Sequence, residues 1–147
     1  MIEKIYDDII MKTTLSVVDG KIEYLPIGIH VSLLDIKPNI PENGAFVFYD
    51  KAHPDKQICQ IEYTNIAGKP ELRYCTKEEY QRQGYMNIAM QHMLDWIIQQ
   101  GAIGCLWLLI DKENIASIRV AQRFKFTLKE THSSSQDWYC LDLGTIS

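Results

Sequence analysis

The sequence predicts a single α/β domain built on a mixed central sheet with flanking helices, and three observations predict it. Short β-rich runs bounded by Gly, Pro and Asn recur through the first half of the chain. Tyr85 to Gln100 carries Met86, Met90, Met93, Leu94 and Ile97 at spacings of three and four, the mark of an amphipathic helix. The apolar run Cys105 to Ile110 (CLWLLI) then separates that helix from a second helical pattern. Strands alternating with helices in this order build an α/β sheet.

Taken in order, Lys12 to Leu25 (KTTLSVVDGKIEYL) holds two β-rich runs around Asp19-Gly20, the pair a type I′ turn demands, so a hairpin is expected to open the fold. The apolar run IHVSLLDI follows, and KPNIPENG closes it as a loop rich in Pro and Asn. Gly44 to Tyr49 and Ile58 to Ile66 read as an antiparallel pair across the polar turn DKAHPDK. Ala67-Gly68-Lys69-Pro70 turns the chain into a short strand, Glu71 to Thr76. Gly101 ends the first helix as a C′ residue, and CLWLLI is expected in the middle of the sheet, buried on both faces. Asn114 caps a second helix running to Phe124 with Ile118, Ala121 and Phe124 inside, and Phe126 to Thr131 and Trp138 to Leu143 make a final pair of strands. The chain contains no internal repeat and no low-complexity tract.

Composition narrows the function classes. At 147 residues, with 46% apolar and 23% charged residues, the chain is an ordinary globular domain with room for a core. A net charge of −4 argues against a nucleic-acid partner, while Arg73, Lys77, Arg82 and Lys112 are expected to supply a local basic patch for a phosphorylated cofactor. The start lacks a signal-peptide pattern and no apolar run approaches the length of a spanning helix, so the expected setting is cytoplasmic and off the membrane. Cys59, Cys75, Cys105 and Cys140 form no Cys-x-x-Cys pair and are expected to be reduced, three of them in apolar runs. His30, His53, His92 and His132 are dispersed, so no metal site is expected.

The segment that carries chemistry is the junction where the strand Glu71 to Thr76 hands over to the first helix through Gln81-Arg82-Gln83-Gly84-Tyr85-Met86. Unpaired N–H groups at a helix start carry the positive end of the dipole and can cradle a pyrophosphate, and Gly84 lets the anion approach the backbone closely. This junction resembles the signature of the GNAT acetyltransferases, which runs Arg or Gln, two residues, Gly, one residue, then Gly or Ala. Gln81, Gly84 and Met86 take those places, Met86 standing where a small residue is usual. Downstream, Asn114, Ser117 and Phe126 correspond to the family's Asn-x-x-Ser and helix-closing Gly-Phe, with Lys125 in place of the glycine. The resemblance covers about residues 44–143, is most specific between Glu71 and Phe126, and is greatest to the ribosomal-protein-alanine acetyltransferases.

The resemblance implies an N-acetyltransferase that moves the acetyl group of acetyl-CoA to a primary amine, whether a protein N-terminus, a lysine or a small amine. It implies that pantetheine pairs with the backbone around Tyr74 and Thr76, that Gln81, Arg82, Gln83, Gly84, Tyr85 and Met86 hold the pyrophosphate, and that Asn114 and Ser117 meet the pantetheine and the departing sulfur. The family's tyrosine four positions on is Ala121 here, so its role is not carried over. Glu71 and Glu62, on neighbouring strands, are the carboxylates available as base. Family members usually have two helices between their first two strands, whereas residues 1–43 here offer the Asp19-Gly20 hairpin; either the acceptor pocket takes an unusual form or a second subunit of a homodimer completes it. The alternatives are a GNAT-like module that binds acyl-CoA with little or no transfer, and a purely structural domain.

Overall fold

The computed structural model describes residues 2–24, 43–65 and 69–144. Among these residues ten strands and two helices follow in chain order: β1 (Ile2–Ile5), β2 (Ile9–Thr13), β3 (Leu15–Val18), β4 (Lys21–Tyr24), β5 (Asn43–Asp50), β6 (Gln57–Thr64), β7 (Glu71–Thr76), α1 (Tyr85–Gln99), β8 (Cys105–Asp111), α2 (Ile115–Arg123), β9 (Thr127–Thr131) and β10 (Gln136–Asp142). A short 3₁₀ turn, Glu78–Tyr80, precedes α1. Eight strands form one sheet in the order β1-β2-β5-β6-β7-β8-β10-β9, while β3 and β4 pair separately. All neighbours run antiparallel except β7 and β8, which are parallel.

Both helices lie over one face, because period-2 alternation sends the large apolar residues there. Met11, Phe46, Phe48, Ile61, Leu72, Leu106 and Leu108 are buried in the same core as Met90, Met93, Trp96 and Ile97 of α1. The other face carries Glu62, Arg73 and Glu71, paired in register with one another or with Trp107, and then Leu109 with Trp138.

Three expectations are corrected. The sheet gains β1 and β2 ahead of the expected hairpin, so Lys12 and Thr13 belong to β2 and the hairpin runs only from Leu15. Neither strand announces itself: β1 is four residues with a charged centre, and IIMKT lacks alternation. β8 is interior to the sheet but alternates, with Leu106, Leu108 and Ile110 buried and Trp107 and Leu109 half-buried, so one face only is sealed by helices. Asn43, expected in a loop, opens β5 one residue ahead of the expected start at Gly44. The apolar run at 29–36, the loop at 37–42 and the turn at 66–68 lie outside the described residues.

The hairpin turn itself has the expected form, with Asp19 at φ 50° and Gly20 at φ 80°. Gly20 is needed twice over, since a Cβ there would come within 2.5 Å of Ile103, whose N–H donates to the Gly20 carbonyl at 3.0 Å. Gly101 sits at φ 88° after α1, with the Ala102 N–H reaching back to Ile97 at 2.9 Å. Lys125 closes α2 in the same left-handed region at φ 67°, and Phe126 donates to Ala121 at 2.9 Å while burying its ring. A left-handed Lys costs about 1–2 kcal/mol, which this closure and the burial of Phe126 offset. His92 is stapled to the β1–β2 turn, stacked on Tyr6 at 3.7 Å and bonded to Asp8 at 2.9 Å. No helix among the described residues is long and apolar enough to cross a membrane.

Leu15 anchors the hairpin against β5, and a Cβ on Gly44 would lie 2.8 Å from its Cγ. Gly44→Ala is therefore expected to overpack this joint and lower stability by about 1–3 kcal/mol. Urea unfolding would report it as a lower midpoint at unchanged slope; a wild-type midpoint would mean that Leu15 repacks freely.

Candidate functional site

The parallel strands β7 and β8 meet in register at one pair, Glu71 with Trp107, braced by a 2.8 Å bond from the Trp107 N–H to the Pro70 carbonyl. Beyond that pair they part, leaving backbone donors and acceptors of β7 open on that side to solvent or to a ligand. The opening holds a gap of about 170 Å³ lined by Arg73, Tyr74, Leu109, Asn114 and Ser117. It continues into a cleft of about 460 Å³ between the N-termini of α1 and α2, lined by Tyr74, Thr76, Gln81, Arg82, Met86 and Ser117 among others.

The α1 end of the cleft is shaped by backbone. After the 3₁₀ turn, Arg82 takes φ 63° and Gly84 φ 81°, and these two left-handed residues swing the chain so that α1 begins at Tyr85. Gly84 is the N-cap and has no side chain to cap with, so the first N–H groups of α1 face the cleft. A Cβ on Gly84 would meet nothing within 4 Å. The glycine is thus required by its φ and by what must come close to it, rather than by packing. The Gln81 amide donates to the Thr76 carbonyl at 3.1 Å and ties the loop to the end of β7.

The α2 end is shaped by side chains. Asn114 Oδ1 accepts from the Ser117 N–H at 3.2 Å, which makes it the N-cap of α2. The Tyr74 hydroxyl donates to the Ser117 carbonyl at 2.9 Å, a link from β7 to the first turn of α2 across the opening. Burial pushes the Tyr74 phenol up to about 12, so it remains a protonated donor through the neutral range. Ser117 lines both the gap and the cleft and stands where they join.

Most of the residues expected at a cofactor site come together here: Tyr74, Thr76, Gln81, Arg82, Gly84, Tyr85, Met86 and Ser117 line the cleft. Gln83 does not, because its amide folds back onto the Glu79 carbonyl at 3.1 Å. Asn114 lines the gap only, with its Oδ1 taken by its own helix. Glu71 and Glu62 lie on the opposite face of the sheet, Glu71 paired to Arg73 at 3.1 Å and Glu62 bonded by Gln60 at 2.8 Å. The expected basic patch is not assembled: Arg82 alone of the four lines the cleft, Arg73 is held by Glu71, and Lys112 pairs with Asp137 at 3.6 Å. Among the cysteines, Cys59 and Cys140 are buried, Cys105 is half-buried, and Cys75 is exposed at the cleft, all four free. Among the described residues no cluster of His, Cys, Asp or Glu could hold a metal.

Sequence reasoning missed three contributors. Tyr80 lines the cleft, packs edge-on against Tyr85 at 5.4 Å and donates to Asp50 at 3.1 Å. That hydroxyl and the Ala52 N–H hold the Asp50 carboxyl below its ordinary range, the N–H being the larger cause. Val120 forms part of the apolar wall. Asn87, in the first turn of α1, lines the cleft with a buried Oδ1 that has no partner among the described residues. A polar residue between Met86 and Ile88 is the one signal that pointed to it.

The splayed parallel pair, the left-handed glycine at the strand-to-helix junction and the Asn-capped second helix agree with a match to the acetyltransferase (GNAT) domain over residues 33–127. The chain belongs to the GNAT acetyltransferase family. Solved GNAT structures similar to it include a ribosomal-protein-alanine acetyltransferase from Vibrio fischeri, 19% identical with a TM-score of 0.58 over 68% of this chain and 61% of that one. The spermidine/spermine N-acetyltransferase of Vibrio cholerae is 14% identical, with a TM-score of 0.60 over 72% of this chain and 70% of that one. An N-acetyltransferase of Campylobacter jejuni in complex with acetyl coenzyme A is 17% identical, with a TM-score of 0.56 over 69% and 68%. At these identities the likeness is one of fold, and the chain spans 61% of the length of the Vibrio fischeri protein. No curated protein matches the chain in sequence.

Removing the hydroxyl that bridges the opening isolates its contribution. Tyr74→Phe is expected to lower stability by about 0.5–1.5 kcal/mol, the net value of one neutral hydrogen bond. The pH dependence checks the assignment. A phenol whose folded pKa exceeds its unfolded value of about 10 stabilises the fold below that value and loses the contribution as pH rises towards 12. Wild type should therefore lose its advantage over Tyr74→Phe above pH 10 in thermal melts; a constant advantage would show that burial does not shift the titration of this hydroxyl between the folded and unfolded states.

Proposed function

We propose that the chain is an acetyl-CoA-dependent N-acetyltransferase acting on a primary amine, with residues 44–143 as its cofactor-holding core and residues 1–43 as an atypical N-terminal part. The observation that carries this reading is the wedge between β7 and β8, open at the Tyr74 and Thr76 backbone and flanked by two helix N-termini. Pantetheine is an extended chain with two amides, and it would enter that wedge as an added strand. The pyrophosphate would then lie against the N–H groups of α1 at Gly84, Tyr85 and Met86, with Arg82 beside it. Asn87 Oδ1, which has no partner among the described residues, would accept from a donor on the cofactor.

In transfer, the neutral amine attacks the thioester carbon, the carbon–sulfur bond breaks and coenzyme A leaves as the thiol. A β7 N–H facing the wedge would polarise the thioester oxygen as negative charge develops there. A thiol with a pKa of about 8.5 leaves without strong acid help, so the burial of Ala121 where other members carry a tyrosine is compatible with turnover. The Ser117 hydroxyl, at the join of gap and cleft, is the group proposed to hydrogen-bond the departing sulfur.

The amine would approach from the opposite face, where Glu71 and Glu62 lie. Glu71, 13% exposed and tied to Arg73, is the better sheltered of the two as proton acceptor. A lysine amine with a pKa of about 10.4 needs such a base far more than an α-amine near 8 does. The fully buried Ala121 favours one second reading, a module that binds acyl-CoA with little transfer.

Thermal melts with acetyl-CoA test cofactor binding. At 100 times Kd the folded state should gain about 2.7 kcal/mol, or about 5–10 °C in Tm for a chain of this size. No shift at millimolar acetyl-CoA would overturn the assignment.

Release of free thiol with a panel of amines then separates enzyme from module. Ser117→Ala is expected to lower kcat about ten- to 150-fold at nearly unchanged affinity for acetyl-CoA, the effect of losing one charge-assisted bond made chiefly in the transition state. An unchanged kcat would reduce Ser117 to a residue of the helix start. Binding without turnover in either protein would replace this reading with the module.

A further inference from the structure

On the face of the sheet away from the helices, two tryptophans make a corner. Trp107 of β8 and Trp138 of β10 meet edge to face, 6.1 Å between ring centroids at 87°. His132 closes one side, its ring 5.6 Å from that of Trp138, and the Trp138 indole N–H donates to His132 Nδ1 at 3.3 Å. Glu130, the β9 partner of Trp138 in register, supplies a carboxylate on the same face. An alkylammonium already sits in this corner: Lys69 Nζ lies 4.7 Å from the Trp107 centroid and 4.9 Å from the Trp138 centroid, and it is ion-paired to Glu130. Two aromatic faces and one carboxylate around a primary ammonium form a cation receptor, and its occupant states the chemistry it accepts.

The occupant is exchangeable. The Lys69 and Glu130 side chains are 34% and 50% exposed, and ion pairs this accessible to water are weakly held. Position makes the corner relevant to the acetyl acceptor. Trp107 is the β8 residue in register with Glu71 at the last pair before the strands part. Two residues further along each strand, Arg73 and Leu109 border the gap where the thioester would lie. Two residues of strand advance about 7 Å.

We propose that Trp107, Trp138 and Glu130 bind the second, non-reacting ammonium of a small diamine acceptor, which displaces Lys69 and so sets its reacting amine at the gap between β7 and β8. The substrate class is then a short aliphatic amine with two cationic ends. Lys69 acts as a built-in competitor that keeps the corner filled until such an acceptor arrives. This rests on the acetyltransferase reading for the reacting end only, since the corner's affinity for an ammonium is independent of acetyl-CoA.

Calorimetric titration without acetyl-CoA separates the two claims. Cadaverine, with five carbons and two amines, is expected to bind wild type about tenfold more tightly than 1,5-pentanediol, which has the same chain and no ammonium, a difference of about 1.4 kcal/mol. Lys69→Gln, which removes the competitor, should tighten cadaverine severalfold, and Trp138→Leu should abolish the preference for the diamine. Glu130→Gln, on an exposed edge strand, makes the same test if circular dichroism reports that the leucine variant is unfolded. Equal affinity for the diamine and the diol in wild type and in Lys69→Gln overturns the proposal. So does weaker cadaverine binding in Lys69→Gln, which would make the lysine part of the corner's structure. If acetyl-CoA gives no thermal shift while cadaverine behaves as expected, the acetyltransferase reading falls and the cation site stands.

Discussion

The pairing of β7 with β8 at Glu71 and Trp107 is the constraint on which the rest of the molecule depends. Among the described residues it is the one parallel contact in an otherwise antiparallel sheet, and it holds for a single register pair before the strands diverge. Two parallel strands require a crossover between them, and α1 is that crossover, so the end of β7, the loop at Gly84 and the start of α1 are placed together by topology. Divergence then leaves one side of β7 without a ladder partner in the middle of a sheet. The molecule keeps it open by packing the helix starts on either side rather than across it.

The opening is held by few interactions, each doing a separate job. The Trp107 bond to Pro70 fixes where divergence begins. Tyr74, donating to the Ser117 carbonyl, fixes how far α2 stands from β7. Asn114 caps α2 so that Ser117 faces the opening, and Gly84 with Arg82 directs α1 away from β7. Two left-handed residues in one short loop carry a conformational cost, the larger part from Arg82, which has a side chain. Local strain of this kind persists where surrounding structure enforces it, here the Gln81 bond to Thr76 and the contact of Tyr80 with Tyr85.

The two faces of the sheet divide the chemistry. The helix face supplies backbone donors and an apolar wall, which suit a long cofactor with a charged end. The other face carries Glu62, Glu71 and Arg73 beside the gap, and a tryptophan corner already occupied by an ammonium. Period-2 alternation is what lets one strand serve both: Leu72 and Tyr74 point to the helices while Glu71 and Arg73 point away.

Local patterning determined much of this from the sequence alone. The 3.6-residue period of α1, the Gly101 closure, the Asn114 cap and the Asp19-Gly20 turn depend on residues near each other in the chain, and each stands where local chemistry put it. So does the strand-to-helix junction, because a helix start with a glycine N-cap is a local object. Tertiary structure alone decided what crosses the sheet. That β1 and β2 extend it and that β8 is sealed on one face only are outcomes of pairing partners far apart in sequence. The Tyr74 link to Ser117 spans 43 residues and the Lys69 pairing with Glu130 spans 61. No periodicity records such contacts, because their geometry exists only once the register of β7, β8, β10 and β9 has been set by burial of the opposite face.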